Sequence, residues 1–197
     1  AGKEVRLVNG KYVVFDATPG VYSNSVVPGS IVKGASQIVG YNTGVLKIGD
    51  VRNDACIKIA VTPLKCSFRY YGDVDDKKAM AVSSNTYQFH TAMLVGGAKY
   101  VYNGPLKVDT KAFDIYRDTF KEFGLGVHTG IDLPNERLGY FGTSRVAGLL
   151  LDFSIGQYDT YTPIQLSQYI NTIAASGNRY APYLVMSGFK DDVLVYS

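Results

Sequence analysis

Along the opening stretch EVRLVNGKYVVF two β-prone runs flank Asn9-Gly10, a pair strongly favoured in two-residue turns, and this predicts a peripheral β-hairpin. From Pro28 the pattern becomes helical. Ile31, Ala35 and Ile38 recur at i, i+4 and i+7 until Gly40 and Asn42 interrupt them, so a first helix is expected from Gly29 or Ser30. Residues 44–72 hold several Gly and Pro among short β-prone pieces and predict loops with at most short strands. Helical patterning returns at about 74–82 and at 85–95, where Gly96-Gly97 stop it. It returns again at 110–123, entered through Asp109 or Thr110 as cap and ended at Gly124.

Residues 124–160, rich in Gly and turn formers, are expected to wrap the surface as long connections. The last helix has the clearest start. Thr162 with Gln165 three residues on forms a capping box, and Pro163 takes the first helical position. Leu166, Ile170 and Ile173 mark its apolar stripe, and Gly177 ends it. No internal repeat or low-complexity tract is present.

With 46% hydrophobic and 19% charged residues, the 197-residue chain has a globular composition and enough length to bury a core. Its net charge of +3 is spread without a basic block, which argues against nucleic acid as a partner. No apolar run approaches the roughly 18 residues that span a bilayer, and the start AGKEVRLVNG has no signal-peptide core, so the chain as given is expected to be soluble. Cys56 and Cys66 are too few for a disulfide framework and lack zinc-ligand spacing; they are expected to be two separate thiols.

Candidate chemistry begins at Ser30-Ile31-Val32-Lys33. A serine hydroxyl attacks an acyl carbon only with a base beside it. Residues three apart on a helix share a face, so the Lys33 amine can reach the Ser30 hydroxyl. Burial and the positive end of a helix both favour a neutral amine, and the same helix start offers the Ser30 N–H as an oxyanion donor. The tetrapeptide alone carries little weight: with 13 serines and 13 lysines, about one S-x-x-K is expected by chance. A second, Ser187-Gly188-Phe189-Lys190, lies in a tail without helical periodicity and is set aside as a decoy.

A conjunction of segments in one order adds the missing weight. VVPGSIVKGAS resembles the first active-site motif of penicillin-binding proteins, and KKAMAVSSNTYQ resembles the second, S-x-N, with Ser83 and Asn85 in the matching positions. GLGVHTGIDLPNE is similar to the family's G-x-x-T-G-I-D-L-P segment, and IGQYDTYTPIQLSQYINTIAASG to its I-G-Q…T-P-x-Q-L helix. The likeness runs from about Pro28 to Pro182 and is nearest the monofunctional, class B enzymes of Gram-positive bacteria. The resemblance implies Ser30 as nucleophile, Lys33 as base, Ser83 as proton relay to the leaving amine and Asn85 as hydrogen-bond partner of the substrate amide. A further S-x-N, Ser176-Gly177-Asn178, follows a helix end and reads as a cap.

The third family motif, K-T-G, occurs nowhere in the chain; His128-Thr129-Gly130 imitates it but precedes the T-P-x-Q-L helix, so His128 is expected at the surface, as is His90. The expected architecture is therefore an α-rich fragment of the α/β (α+β) transpeptidase fold shared with serine β-lactamases. Residues 1–27 would be a hairpin remnant and 28–197 the helical part of a single domain, with most of the antiparallel sheet missing. The resemblance implies a D,D-transpeptidase acting on peptidoglycan stem peptides that end in D-Ala-D-Ala, acylated by β-lactam antibiotics and working beside cell-wall elongation or division proteins. It implies no metal or organic cofactor, and a parent held in the plasma membrane by a single span with this domain outside. A β-lactamase or β-lactam sensor domain, and a non-catalytic scaffold, are the rivals; the G-I-D-L-P and T-P-x-Q-L segments oppose the first, the intact Ser30, Lys33, Ser83 and Asn85 the second.

Overall fold

The computed structural model describes residues 3–16, 19–190 and 193–196. The chain forms two compact units, one of residues 1–26, 123–139 and 161–197, the other of residues 27–122 and 140–160.

The first unit opens with β1 (Lys3–Val8) and β2 (Lys11–Asp16), paired antiparallel from Lys3↔Asp16 to Val8↔Lys11. Asn9 and Gly10 turn the chain with φ of 50° and 74°, the conformation that Asn-Gly is suited to supply. A short α1 (Pro19–Ser23) packs on α7 (Pro163–Ala174). The capping box that starts α7 is formed, with Thr162 N–H donating to Gln165 Oε1 at 3.0 Å. The apolar stripe expected on α7 is not its buried face: Ile170 and Ile173 are 49% and 44% exposed, whereas Gln165, Gln168, Tyr169 and Thr172 are buried. The reason is hydrogen bonding. Gln165 donates to Val127 O at 2.8 Å, and Gln168 to Thr129 O at 2.9 Å and Tyr180 O at 2.8 Å, so this face satisfies loop carbonyls that would otherwise be buried unpaired. Asp132 of the G-I-D-L-P segment likewise accepts the N–H groups of Leu184 and Val185, each at 2.8 Å, which holds its carboxyl below the usual range. The unit ends in β5 (Gly188–Lys190) and β6 (Val193–Tyr196), with Ser187 just before them outside any helix, as the decoy reading requires.

The second unit is built around α2 (Lys33–Asn42), preceded by a 3-10 turn over Gly29–Val32. Around it lie α3 (Asp76–Ala81), α4 (Asn85–Val95) and α5 (Ala112–Glu122), close to the predicted spans. Packing on several sides leaves α2 no single apolar stripe. Ile31 is 48% exposed, while Val32, Lys33, Ser36 and Val39 are buried. At Gly40 a Cβ would lie 2.7 Å from Thr91 Cγ2 and 3.0 Å from Leu46 Cβ, so glycine lets α2 approach α4. The stretch expected to be only connections contains another helix, α6 (Ala147–Ser154), whose AGLLLDFS run packs on α4 and α5. Phe113, Tyr116 and Phe120 of α5 meet Phe153 of α6 at ring centroid distances of 6.2, 5.5 and 5.3 Å. His90, expected at the surface, is half-buried in α4 and stands edge-on to Tyr100; burial lowers its pKa. Cys56 and Cys66 are joined in a disulfide, which corrects the expectation of separate thiols. Their short, irregular loop carries no periodicity from which that proximity could be read. The two-residue strands β3 (Arg52–Asn53), before Cys56, and β4 (Asp73–Val74), after Cys66, pair antiparallel.

A buried ion pair braces this unit. Arg117 grips Asp159 in a two-pronged contact of 2.8 and 2.9 Å and donates to Gly142 O at 2.7 Å, while Gly142 N–H returns to Asp159 Oδ1 at 2.9 Å. The Asp159 side chain is fully inaccessible. Removing one partner strands a buried charge, so Asp159→Ala is expected to destabilise the unit by about 3–5 kcal/mol, read as a fall in the chemical-denaturation midpoint.

Candidate active site

Lys33 is 1% exposed, so it is not a solvated first-turn lysine. Its amine reaches Ser83 O at 2.7 Å, Ser83 Oγ at 3.0 Å and Asn85 Oδ1 at 2.6 Å. Burial pulls its pKa down to about 8, against the opposing pull of the Asp54 carboxylate. The Ser83 carbonyl and the Asn85 amide oxygen can only accept, so a neutral amine spends its two N–H groups on them. Its lone pair is then left for a hydroxyl.

The turn that brings Ser83 and Asn85 to the amine is tight. Ser83 sits at φ 55°, a left-handed conformation, and Ser84, not Asn85, is the N-cap of α4, its Oγ accepting from Tyr87 N–H at 3.0 Å. Asn85 is thereby the first helical residue. Its amide Nδ2 donates to Cys66 O at 3.0 Å, orienting Oδ1 toward Lys33.

Ser30 lies on the 3-10 turn with its side chain exposed, one turn before Lys33, whose backbone N–H bonds to Ser30 O. Among the described residues no side-chain hydrogen bond joins Ser30 to Lys33. Such contacts are often long without substrate and tighten once it binds. The turn is fixed by backbone: Gly29, at φ 58°, donates to Gly156 O at 2.9 Å. Gly156 itself has φ 76°, and a Cβ there would lie 2.2 Å from Gly29 O, so only glycine fits beside the Ser30 turn. The structure thus brings Lys33, Ser83 and Asn85 into direct contact and Ser30 to the adjoining turn.

Sequence reasoning assigned no role to Gly156, Asp54, Ser67 or Ser84. The first lies within the I-G-Q match and the last within Ser83-Ser84-Asn85, but nothing in the sequence marks Asp54 or Ser67. His128 is 65% exposed, with Nδ1 3.4 Å from Glu136, which agrees with a surface residue. Among the described residues no cluster of His, Cys, Asp and Glu could hold a metal ion.

Residues 1–193 match the penicillin binding protein transpeptidase domain family. Penicillin-binding protein 2A of Bacillus subtilis is 47% identical over 186 residues, which is 94% of this chain and 26% of that protein. Penicillin-binding protein 2B of Streptococcus pneumoniae is 37% identical over 173 residues, 84% of the chain and 25% of the relative. A solved structure of penicillin-binding protein 2B from Streptococcus pneumoniae strain 5204 superposes with a TM-score of 0.85 at 31% identity, covering 99% of this chain and 34% of that one. The chain therefore spans about a quarter of the length of these curated relatives.

The lowered pKa of Lys33 gives a direct test. The unfolded chain keeps that proton up to the ordinary value of 10.5, so charged Lys33 opposes folding, and this cost is relieved as pH rises from about 8 toward 10.5. A side-chain NMR titration of Lys33 is expected to show a midpoint near 8; one near 10.5 would mean that the amine is solvated.

Proposed function

The chain belongs to the penicillin-binding protein transpeptidase family, and from that membership we propose that the protein carrying it is a serine-type D,D-transpeptidase that cross-links peptidoglycan through an acyl-enzyme on Ser30. The observation that carries the reading is the Lys33 amine, buried, lowered to about 8, and held by Ser83 and Asn85. A base near neutral pH is what an unactivated serine lacks.

In this mechanism Ser30 Oγ bonds to the carbonyl carbon of the penultimate D-Ala of a stem peptide, and its proton passes to the Lys33 amine. The oxyanion collapses, the C–N bond breaks, and Ser83, 3.0 Å from Lys33, relays the proton to the departing D-Ala nitrogen. Asn85 holds the substrate amide. An amine of a neighbouring stem then attacks the ester, gives up a proton through the same relay, and Ser30 regains its hydrogen. A β-lactam enters by the same first step and remains as a long-lived acyl-serine.

The disulfide suits an oxidising compartment, which supports a domain outside the plasma membrane; among the described residues no helix is long and apolar enough to cross one. The anchor, and partners of the elongation or division machinery, belong to this proposal for the whole protein. The 197 residues hold no Lys-Thr-Gly. In the family that strand binds the terminal carboxylate and completes the oxyanion hole, so the chain by itself is proposed to be nearly inactive.

Brief exposure to a labelled penicillin, read by mass spectrometry, is expected to give a single adduct at Ser30 of the full-length protein. Ser30→Ala should abolish it and Lys33→Ala should slow it roughly 100- to 10,000-fold. The 197-residue chain should label far more weakly. An adduct on another residue would refute the assignment, equal labelling of chain and full-length protein would show a K-T-G strand to be dispensable, and rapid turnover of a chromogenic β-lactam would favour a β-lactamase.

A further inference from the structure

Asp54 lies in the irregular segment after β3 and is 3% exposed, yet among the described residues no cation is one of its hydrogen-bond partners. Three hydroxyls donate to its Oδ1: Ser67 at 2.8 Å, and Ser84 and Thr86 in still shorter contacts. Tyr71 N–H donates to Oδ2 at 3.3 Å, and the Asp54 N–H is itself bonded to Gly72 O at 2.9 Å, which fixes the backbone from which the carboxylate projects.

Each hydroxyl has a single hydrogen, and pointing it at the carboxylate turns the oxygen's lone pairs elsewhere. Ser67 Oγ accepts Asn85 N–H at 2.9 Å and Thr86 N–H at 3.3 Å, and Ser84 Oγ accepts Tyr87 N–H at 3.0 Å. These N–H groups belong to the first turn of α4, which has no intrahelical acceptors for them. One carboxylate thereby orients the hydroxyls that cap the helix carrying Asn85, and its negative charge lies at the end of the helix that favours it. Chains of this kind polarise one another when buried, and Ser67, Ser84 and Thr86 are all buried.

We propose that Asp54 is a positioning residue for the Lys33–Ser83–Asn85 cluster, acting through Ser67 and Ser84 to fix the turn that presents Ser83 and Asn85 to the amine. The assignment rests on the acyl-transfer reading for its catalytic meaning, but its geometry stands apart from it. Without the carboxylate the hydroxyls are free to rotate, the caps of α4 weaken, and the left-handed Ser83 is released to relax. A misplacement on the order of 1 Å at such a site costs roughly 100-fold in rate. Asp54 is also the charged group whose field acts on the Lys33 amine, opposing the effect of burial. Its neutralisation therefore favours the free amine at lower pH.

The test uses the full-length protein with Asp54→Asn, which keeps the shape and removes the charge, and Ser67→Ala, which keeps the charge and removes one hydroxyl. Asp54→Asn is expected to slow penicillin acylation of Ser30 roughly 100-fold and to move the rise of that rate with pH to lower pH. Ser67→Ala should slow acylation without moving the rise. In both, amide exchange of Asn85 and Thr86 should quicken at least tenfold, in Asp54→Asn that of Tyr87 also, while protection elsewhere is kept. Folded variants with wild-type exchange at these amides and wild-type acylation overturn the assignment; if Asp54→Asn does not fold, Ser67→Ala decides by the same two readouts. A wild-type protein that forms no Ser30 adduct refutes the acyl-transfer reading alone, and the exchange measurement then still decides for or against Asp54.

Discussion

A lysine amine buried to 1% exposure is the constraint on which the second unit depends. An ammonium there would demand full hydrogen bonding, and a free amine would demand at least acceptors for its two N–H groups. Both demands are met by one turn, which supplies Ser83 O, Ser83 Oγ and Asn85 Oδ1. For that turn to arrive, α2 must stand in the middle of its neighbours rather than on their surface. Gly40 permits the close approach to α4, and Ser36, donating to Ser154 O at 2.7 Å, ties α2 to the end of α6.

The same economy of polar satisfaction shapes the first unit, where it displaces the usual rule. Glutamines face inward on α7 while isoleucines face out, because the loops between 124 and 139 and beyond 177 bring carbonyls with no regular partner. An isoleucine in place of Gln168 would bury more apolar surface but leave the Thr129 carbonyl, bonded to Gln168 in a buried contact, unpaired, and a buried orphan of that kind costs about 1–3 kcal/mol.

What the sequence made legible follows from the range of the interactions involved. The Asn9-Gly10 hairpin, the Thr162–Gln165 capping box and the bounds of α4 depend on residues within a few positions, and they could be read directly. The Ser30–Lys33 and Ser83–Asn85 spacings were equally local, and the order of several motifs connected them. α6 shows no period that distinguishes helix from loop, because its eight residues are mostly apolar, include Gly148 and are closely followed by Gly156. The stripes assigned to α2 and α7 failed for a tertiary reason: amphipathic reading assumes one dry face, and one helix has several neighbours while the other packs on carbonyls. The Cys56–Cys66 bridge and Asp54 are non-local contacts within irregular chain, where neither periodicity nor spacing carries information.

Ser30 and Lys33, nucleophile and base in the proposed reaction, are held by opposite means. Lys33 is enclosed and its pKa is lowered by burial, whereas Ser30 is exposed on a turn that the Gly29 N–H bond to Gly156 O helps to fix. A base needs a dry, invariant setting, because its pKa follows its surroundings. A nucleophile must instead meet a large substrate from solvent, which calls for a rigid backbone and an open side chain. Glycine at 156 satisfies both conditions, since its missing Cβ lets the supporting loop lie against the turn without adding any bulk beside the hydroxyl.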